Sequence, residues 1–318
     1  AAVVSQGDLA NVKNIGTLSF TNDLAVNQVS TLQLNDAIVD AMVDSYQASA
    51  SRAAAATQTT SGANVEVLRI NALDNINTNV APSQVLGTTG LVVEASVLTD
   101  KSDLSIVLGR GANTINTGAG QDKVVLLGNY VTGAYAAAVE DGVSINAQAN
   151  NVAGARVVTD TIALGTGTDT LVTYGAINLA GATLSGIENL VVNSDVILSQ
   201  AQFNALTSLT FTGTTDHTLT IVDSTADTTA INLSKIVDNT SGAIAITNNA
   251  AEGAVVGSAF GSNGTGTNTV NNVTTGGSTG GTGGTGGTTT PTTTYVLDGL
   301  GTASTQAAET LATAALNL

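Results

Sequence analysis

Short apolar clusters separated by turn-forming residues run through most of the chain. Between 64 and 126 they are Val65-Glu-Val-Leu, Leu91-Val-Val, Leu104-Ser-Ile-Val-Leu and Val124-Val-Leu-Leu. Each is bounded by Gly, Asn, Asp or Thr, the pattern of brief strands joined by tight turns. Residues 127–155, rich in Ala, Asn and Gly, lose this register and read as an insertion. Register returns at Thr159-Asp-Thr-Ile-Ala-Leu. From 176 to 250 the texture persists with less regularity, through Ile177-Asn-Leu, Leu184-Ser-Gly-Ile-Glu-Asn-Leu-Val-Val, Leu209-Thr-Phe, Leu219-Thr-Ile-Val, Ile231-Asn-Leu and Ile244-Ala-Ile. The pattern predicts a mostly β architecture over 64–260, a parallel β-roll or β-solenoid with an insertion around 127–155.

Two segments break the strand pattern with helical spacing. In the N-terminal region, residues 1–63, the strands Leu18-Ser-Phe-Thr and Val29-Ser-Thr-Leu-Gln-Leu precede Asn35. Asn35 is placed to cap a helix carrying Ile38, Val39, Met42, Val43 and Tyr46 on one face, the face that packs on a sheet. Ser199 to Leu206 reads as a second, short helix, with Ser199 as cap and Gln202 three residues on.

Residues 261–294 change character. The stretch Thr274-Thr-Gly-Gly-Ser-Thr-Gly-Gly to Pro291 offers no core-forming residue and predicts a flexible Gly/Thr linker. Tyr295-Val-Leu-Asp-Gly-Leu then opens a short apolar tail, 295–318. A tethered apolar tail must bury its face on its own domain, on the next subunit or on a secretion machine, and the next subunit is favoured.

Chemistry concentrates in three nine-residue blocks. Two lie back to back at 109–126, Gly109-Arg-Gly-Ala-Asn-Thr-Ile-Asn-Thr and Gly118-Ala-Gly-Gln-Asp-Lys-Val-Val-Leu. The third is Gly165-Thr-Gly-Thr-Asp-Thr-Leu-Val-Thr. Each reads G-x-G-x-[N/D]-x-apolar. Gly109, Gly111, Gly118, Gly120, Gly165 and Gly167 let the backbone turn tightly and turn carbonyls outward, and the Asn or Asp adds a hard oxygen. That combination suits Ca2+ held between the loops of a parallel β-roll. With nine residues per half-turn, loops 18 positions apart stack. Asp122 then sits above Asp100 and Asp103, where carboxylates and loop carbonyls supply the six to eight oxygens calcium takes. Asp160 and Asp169 are nine apart, hence on opposite edges, each needing a partner from elsewhere.

Composition narrows the function classes. Eight basic residues face 24 acidic ones, for a formal net charge of −16, which argues against nucleic acid as a partner. The chain has no cysteine, so disulfides, thiolate nucleophiles and Zn–Cys sites are excluded. No apolar run reaches 18 residues, so no transmembrane helix is expected. The start, Ala-Ala-Val without Met, suggests a processed or excised piece. The single histidine, His217 in Thr214-Thr-Asp-His-Thr, reads as a solvated turn. With no Trp and few other aromatics for a sugar platform, and no phosphate loop, no enzyme is expected.

The blocks resemble the RTX nonapeptide family, G-G-x-G-x-D-x-U-x, of secreted bacterial proteins. Gly181-Ala-Thr-Leu-Ser-Gly-Ile-Glu-Asn-Leu-Val-Val, followed by Leu198-Ser-Gln-Ala-Gln-Phe-Asn-Ala-Leu, is similar to irregular stretches of large RTX-type surface-layer and biofilm-matrix proteins. Leu108, Thr117 and Leu164 replace the first glycine, and Asn113 stands where the family has Asp. The resemblance implies Asp122 and Asp169 as the leading calcium ligands and Asn113 as a third, with weak affinity of about 10⁻⁴–10⁻³ M. It also implies an extracellular or bacterial cell-surface location, and a tail that doubles as an export signal. The expected function is a calcium-stabilised structural protein forming a head-to-tail filament or surface layer, with a cell-surface polysaccharide as a further candidate partner. An adhesin is the alternative, and a β-helical polysaccharide-degrading enzyme stands behind it.

Overall fold

The computed structural model describes residues 3–13, 15–20, 29–47, 66–72, 90–99, 102–129, 138–140, 143–145, 154–222, 231–249, 255–256, 261–262, 268–273 and 292–297. They are mostly β, in parallel sheets with few helices. The chain divides into two compact units, one formed by Ala1–Ile177 with Gly181–Leu190, the other by Asn178–Ala180 with Val191–Leu318.

The first unit carries two series of parallel strands. One runs Val3–Val4, Val29–Gln33, Gly90–Glu94, Thr114–Asn116, Thr161–Ala163 and Thr183–Ser185. Its register sets Leu32, Val93, Ile115 and Ile162 in one buried column. The other runs Thr17–Ser19, Glu66–Asn71, Ser102–Val107, Lys123–Leu127 and Thr170–Tyr174. There Ile70, Ile106, Val124 and Leu171 form the column. β-Branched and leucine side chains repeat at equivalent positions because stacked parallel strands bury the same face at each level.

Among the strand pairings given above, the regular spacing of 18 holds only from Ile106 to Val124. Val93 to Ile115 is 22 positions, and Ile115 to Ile162 and Val124 to Leu171 are each 47. The difference, 47 − 18 = 29, is the length of segment 127–155. Within that segment Ala138–Glu140 and Val143–Ile145 pair antiparallel, and the parallel register resumes after it.

Helix Asp36–Gln47 begins where Asn35 Oδ1 accepts the Ile38 amide at 3.0 Å. It buries Ile38, Val39, Met42 and Val43 and packs on Glu66–Asn71. Asp36 Oδ1 accepts from the Thr99 amide and the Ser102 hydroxyl, fixing the helix start to the loop that leads into Ser102–Val107.

In the second unit Val196–Ser199, His217–Val222, Ile244–Asn249 and Asn268–Val273 pair in parallel, and Thr292–Leu297 closes the row antiparallel. Ser208–Gly213, Ile236–Thr240 and Gly261–Ser262 form a second parallel set. Helix Gln200–Ala205 carries a capping box: the Gln202 amide donates to Ser199 Oγ at 3.2 Å, and Gln202 Oε1 accepts the Ser199 amide at 2.9 Å.

Three features depart from expectation. Strands Gly261–Ser262, Asn268–Val273 and Thr292–Leu297 extend into the range 261–294 that composition assigns to a linker. Their polar sequence hid them, because Asn268 is a buried hydrogen-bonding residue and not a turn residue. His217, read as a solvated turn, is 3% exposed and opens a strand in which 217, 219 and 221 all face inward. Residues 298–318 of the tail lie outside the described residues. Among the described residues no helix is long and apolar enough to cross a membrane.

Candidate cation site in the stacked glycine loops

The second and third blocks lie directly on one another. Ala119–Gly120 pairs in parallel with Thr166–Gly167, so Gly118 meets Gly165, Gly120 meets Gly167 and Asp122 meets Asp169. All four glycines have left-handed φ, 93°, 142°, 80° and 156° along the chain. A Cβ on Gly165 would sit inside the Gly118 carbonyl, and one on Gly167 inside the Gly120 carbonyl. Glycine is required twice over here, by backbone conformation and by the approach of the neighbouring loop.

The stack aligns a column of carboxylates. Asp122 Oδ1 accepts the Leu104 amide at 2.7 Å, and Asp169 Oδ1 accepts the Asp122 amide at 2.7 Å. Glu188 Oε2 accepts the Asp169 amide at 2.8 Å. Asp103 Oδ1 accepts the amide of Gln121, 18 positions on, at 2.7 Å, which brings Asp103 beside Asp122 as stacking of loops 18 positions apart predicts. Asp100 lies outside the described residues.

One oxygen of each central carboxylate remains unmatched. Oδ2 of Asp122 and Oδ2 of Asp169 are buried without a hydrogen-bond partner. The Thr117 hydroxyl approaches Asp122 and lowers its pKa against the rise from burial, while donating to the Leu164 carbonyl at 2.9 Å. The ionised neighbours that act on the pair are also negative, Asp103 and Asp169 on Asp122, and Glu188 and Asp103 on Asp169. Burial is the larger cause, and it pushes the Asp122 carboxyl up to about 7 and those of Asp103 and Asp169 up to about 6.

The first block follows a different course. Gly109 and Gly111 do not take left-handed φ. Asn113 pairs with Asp160, again 47 positions on: Asp160 Oδ1 accepts the Asn113 amide at 2.9 Å, and Asn113 Nδ2 donates to Asp160 Oδ2 at 3.1 Å. Asn113 Oδ1 is taken by the Leu91 amide at 2.9 Å. Asp160 lies beside the buried guanidinium of Arg156, which donates to the Leu127 carbonyl at 2.6 Å. Burial still raises the Asp160 carboxyl, with the amide and side chain of Asn113 and the Arg156 charge opposing it. This edge therefore carries its own cation and an amide in place of a second carboxylate. Segment 156–164 is in effect a fourth block without the two glycines, which is why its motif escapes a search for G-x-G.

The donor set of the Asp122 and Asp169 loops suits a hard cation. The two free Oδ2 atoms are carboxylate oxygens, and the loop carbonyls of Gly118 and Gly120 lie within the same stack. Among the described residues no group of three or more His, Cys, Asp or Glu side chains forms a chelating cluster. Carbonyls and water would therefore have to complete a coordination shell of six to eight. No family model matches the chain, and neither curated proteins nor solved structures give a match.

Proposed function

We propose that the chain is an extracellular structural protein of RTX-type character, a parallel β-solenoid stiffened by calcium in its glycine loops and assembling with copies of itself. One observation carries the calcium part. Two stacked Gly-x-Gly-x-Asp loops bury two carboxylate oxygens that no hydrogen bond satisfies. An unpaired buried carboxylate costs several kcal/mol unless it takes up a proton or a cation. Asp122 and Asp169 would hold the ion through Oδ2 while Oδ1 of each stays on a backbone amide of the stack. Calcium, when bound, would supply to the Asp122 and Asp169 carboxylates the kind of positive charge that Arg156 sets beside Asp160.

The structural part rests on what the chain spends its sequence on: strand columns, capped helices and glycine loops, with its charge strongly acidic. Self-association would use the outermost strands of these parallel rows, since a strand edge can pair with a second copy. A second reading has an observation in its favour. The Oδ1 atoms of Asp122, Asp169 and Asp160 each accept a backbone amide from the next level, so the same residues serve a metal-free, partly protonated side-chain ladder.

Light scattering and electron microscopy of the chain in millimolar calcium and in excess EGTA test the reading. Calcium-dependent polymers are the expected result. Monomers under both conditions would sink the assembly claim and direct attention to an adhesive surface instead.

A further inference from the structure

We infer that Thr292–Leu297 is a donor strand that this chain exchanges with a second copy of itself, a mechanism that rests on the self-assembly proposed above. In the second unit every other described strand of its row joins in parallel, each arriving from the same direction. Thr292–Leu297 alone reverses, and it covers the outermost strand from end to end: Asn268 faces Leu297, Val270 faces Tyr295 and Val273 faces Thr292. Six residues match six. Without this strand the edge Asn268–Val273 would present a row of unpaired amides and carbonyls, a template for any strand that reaches it.

The acceptor edge is held in place independently of its cover. Asn268 is buried, its Oδ1 accepts the Ile244 amide at 2.6 Å, and its Nδ2 donates to Asp238 Oδ2 at 3.1 Å. Asp238 in turn accepts from the Thr240 amide and hydroxyl at 2.9 and 2.8 Å. The first residue of the edge strand is thus fixed by its side chain to the neighbouring strand Ile244–Asn249 and to Ile236–Thr240 of the other set.

The tether points beyond a hairpin. Val273 and Thr292 face each other, so a turn of about two to five residues would join them. The chain uses 18, from Thr274 to Pro291, and none is apolar. Extended, that length spans about 60 Å, far beyond a neighbouring edge. A long tether also lowers the effective concentration of the strand at its own edge to the order of millimolar or below. Packed subunits reach that level, so a copy's edge competes on even terms.

The absence of cysteine makes the test direct. Val270→Cys and Tyr295→Cys are prepared as separate full-length variants, unfolded together, refolded over a range of concentrations and oxidised. A disulfide-linked heterodimer whose yield rises with concentration is expected, with little from the off-register pairing of Val270→Cys and Thr292→Cys. No heterodimer at any concentration overturns the exchange. The double variant, oxidised in dilute solution, locks the strand on its own chain and is expected to stop polymer growth. Polymers that persist from the locked form overturn strand exchange while leaving self-assembly standing. A heterodimer without polymers in the wild type supports exchange in a closed pair and removes the filament reading.

Discussion

Replacing Asp122 by Asn separates the cost of a buried charge from the gain of a bound ion. The substitution keeps an oxygen for the Leu104 amide and removes the charge at Oδ2. In the metal-free fold Asp122 titrates near 7, because burial raises it from an ordinary 3.8. A raised folded-state value means that the native state binds the proton more tightly than the unfolded chain. Stability from this group is therefore present at low pH and lost as pH rises from about 4 through 7. Each tenfold difference in proton affinity is about 1.4 kcal/mol, so the ionised carboxylate costs the fold at most ~4 kcal/mol at pH 8. Burying the new amide NH2 without an acceptor returns about 1–3 kcal/mol of that. The variant should therefore be more stable than wild type at pH 8 in EGTA, by about 1–3 kcal/mol or roughly 2–10 °C in Tm.

Calcium changes the comparison. At 10 mM calcium and a Kd of about 10⁻⁴–10⁻³ M, the wild type gains roughly 1.4–2.7 kcal/mol and the variant gains little. The assay is a set of circular-dichroism melts of both proteins at pH 5 and pH 8, with calcium and with EGTA. The Asn variant should lead at pH 8 in EGTA, lose its lead in calcium, and lose it again at pH 5. A variant less stable than wild type at pH 8 in EGTA, with no calcium response in either protein, refutes the buried-charge reasoning.

Other substitutions probe the surrounding architecture. Gly165 and Gly154 share a φ near 80°, but a Cβ at Gly154 meets nothing within 4 Å. Gly154→Ala should cost about 1–2 kcal/mol of backbone strain, and Gly165→Ala distinctly more in the same denaturant titration, since the Gly118 carbonyl must move. Asn113→Asp restores the motif yet sets a second carboxylate against Asp160, so urea melts should show a loss of about 1–3 kcal/mol at pH 8 that shrinks towards pH 5. His217 has its pKa lowered, chiefly by burial, with the Thr212 carbonyl and nearby carboxylates opposing. Its neutral ring donates from Nε2 to the Thr212 carbonyl at 3.0 Å, so wild-type stability should fall as pH drops through about 6.5, and His217→Gln should flatten that slope.

Local signals were the readable part of this chain. Asn35 and the Ser199–Gln202 pair identify two helix starts because capping chemistry lies within four residues. The approach of Asp103 to Asp122 is equally legible, since nothing interrupts the 18 positions between them. The partnership of Asp122 with Asp169 is not, because 29 inserted residues displace the repeat to 47. Asn113 reads from its motif as a weakened ligand, and its donation to Asp160 Oδ2 was not legible, because that partner lies 47 positions on. His217 shows the converse, where alternation through Leu219 and Ile221 marked a strand but the polar run Thr214-Thr-Asp suggested a turn. Strand Asn268–Val273 escaped for the same reason, its inward residue being an asparagine that serves Asp238 and Ile244.

Equilibrium dialysis against radioactive calcium measures the central claim without reference to stability or polymer form. Wild-type chain at pH 7.5 should bind calcium saturably at about 10⁻⁴–10⁻³ M, and the Asp122→Asn, Asp169→Asn double variant should lose that binding. Equal binding by both proteins, or none by the wild type up to 10 mM, would contradict the assignment and leave the stacked carboxyls as a protonated ladder.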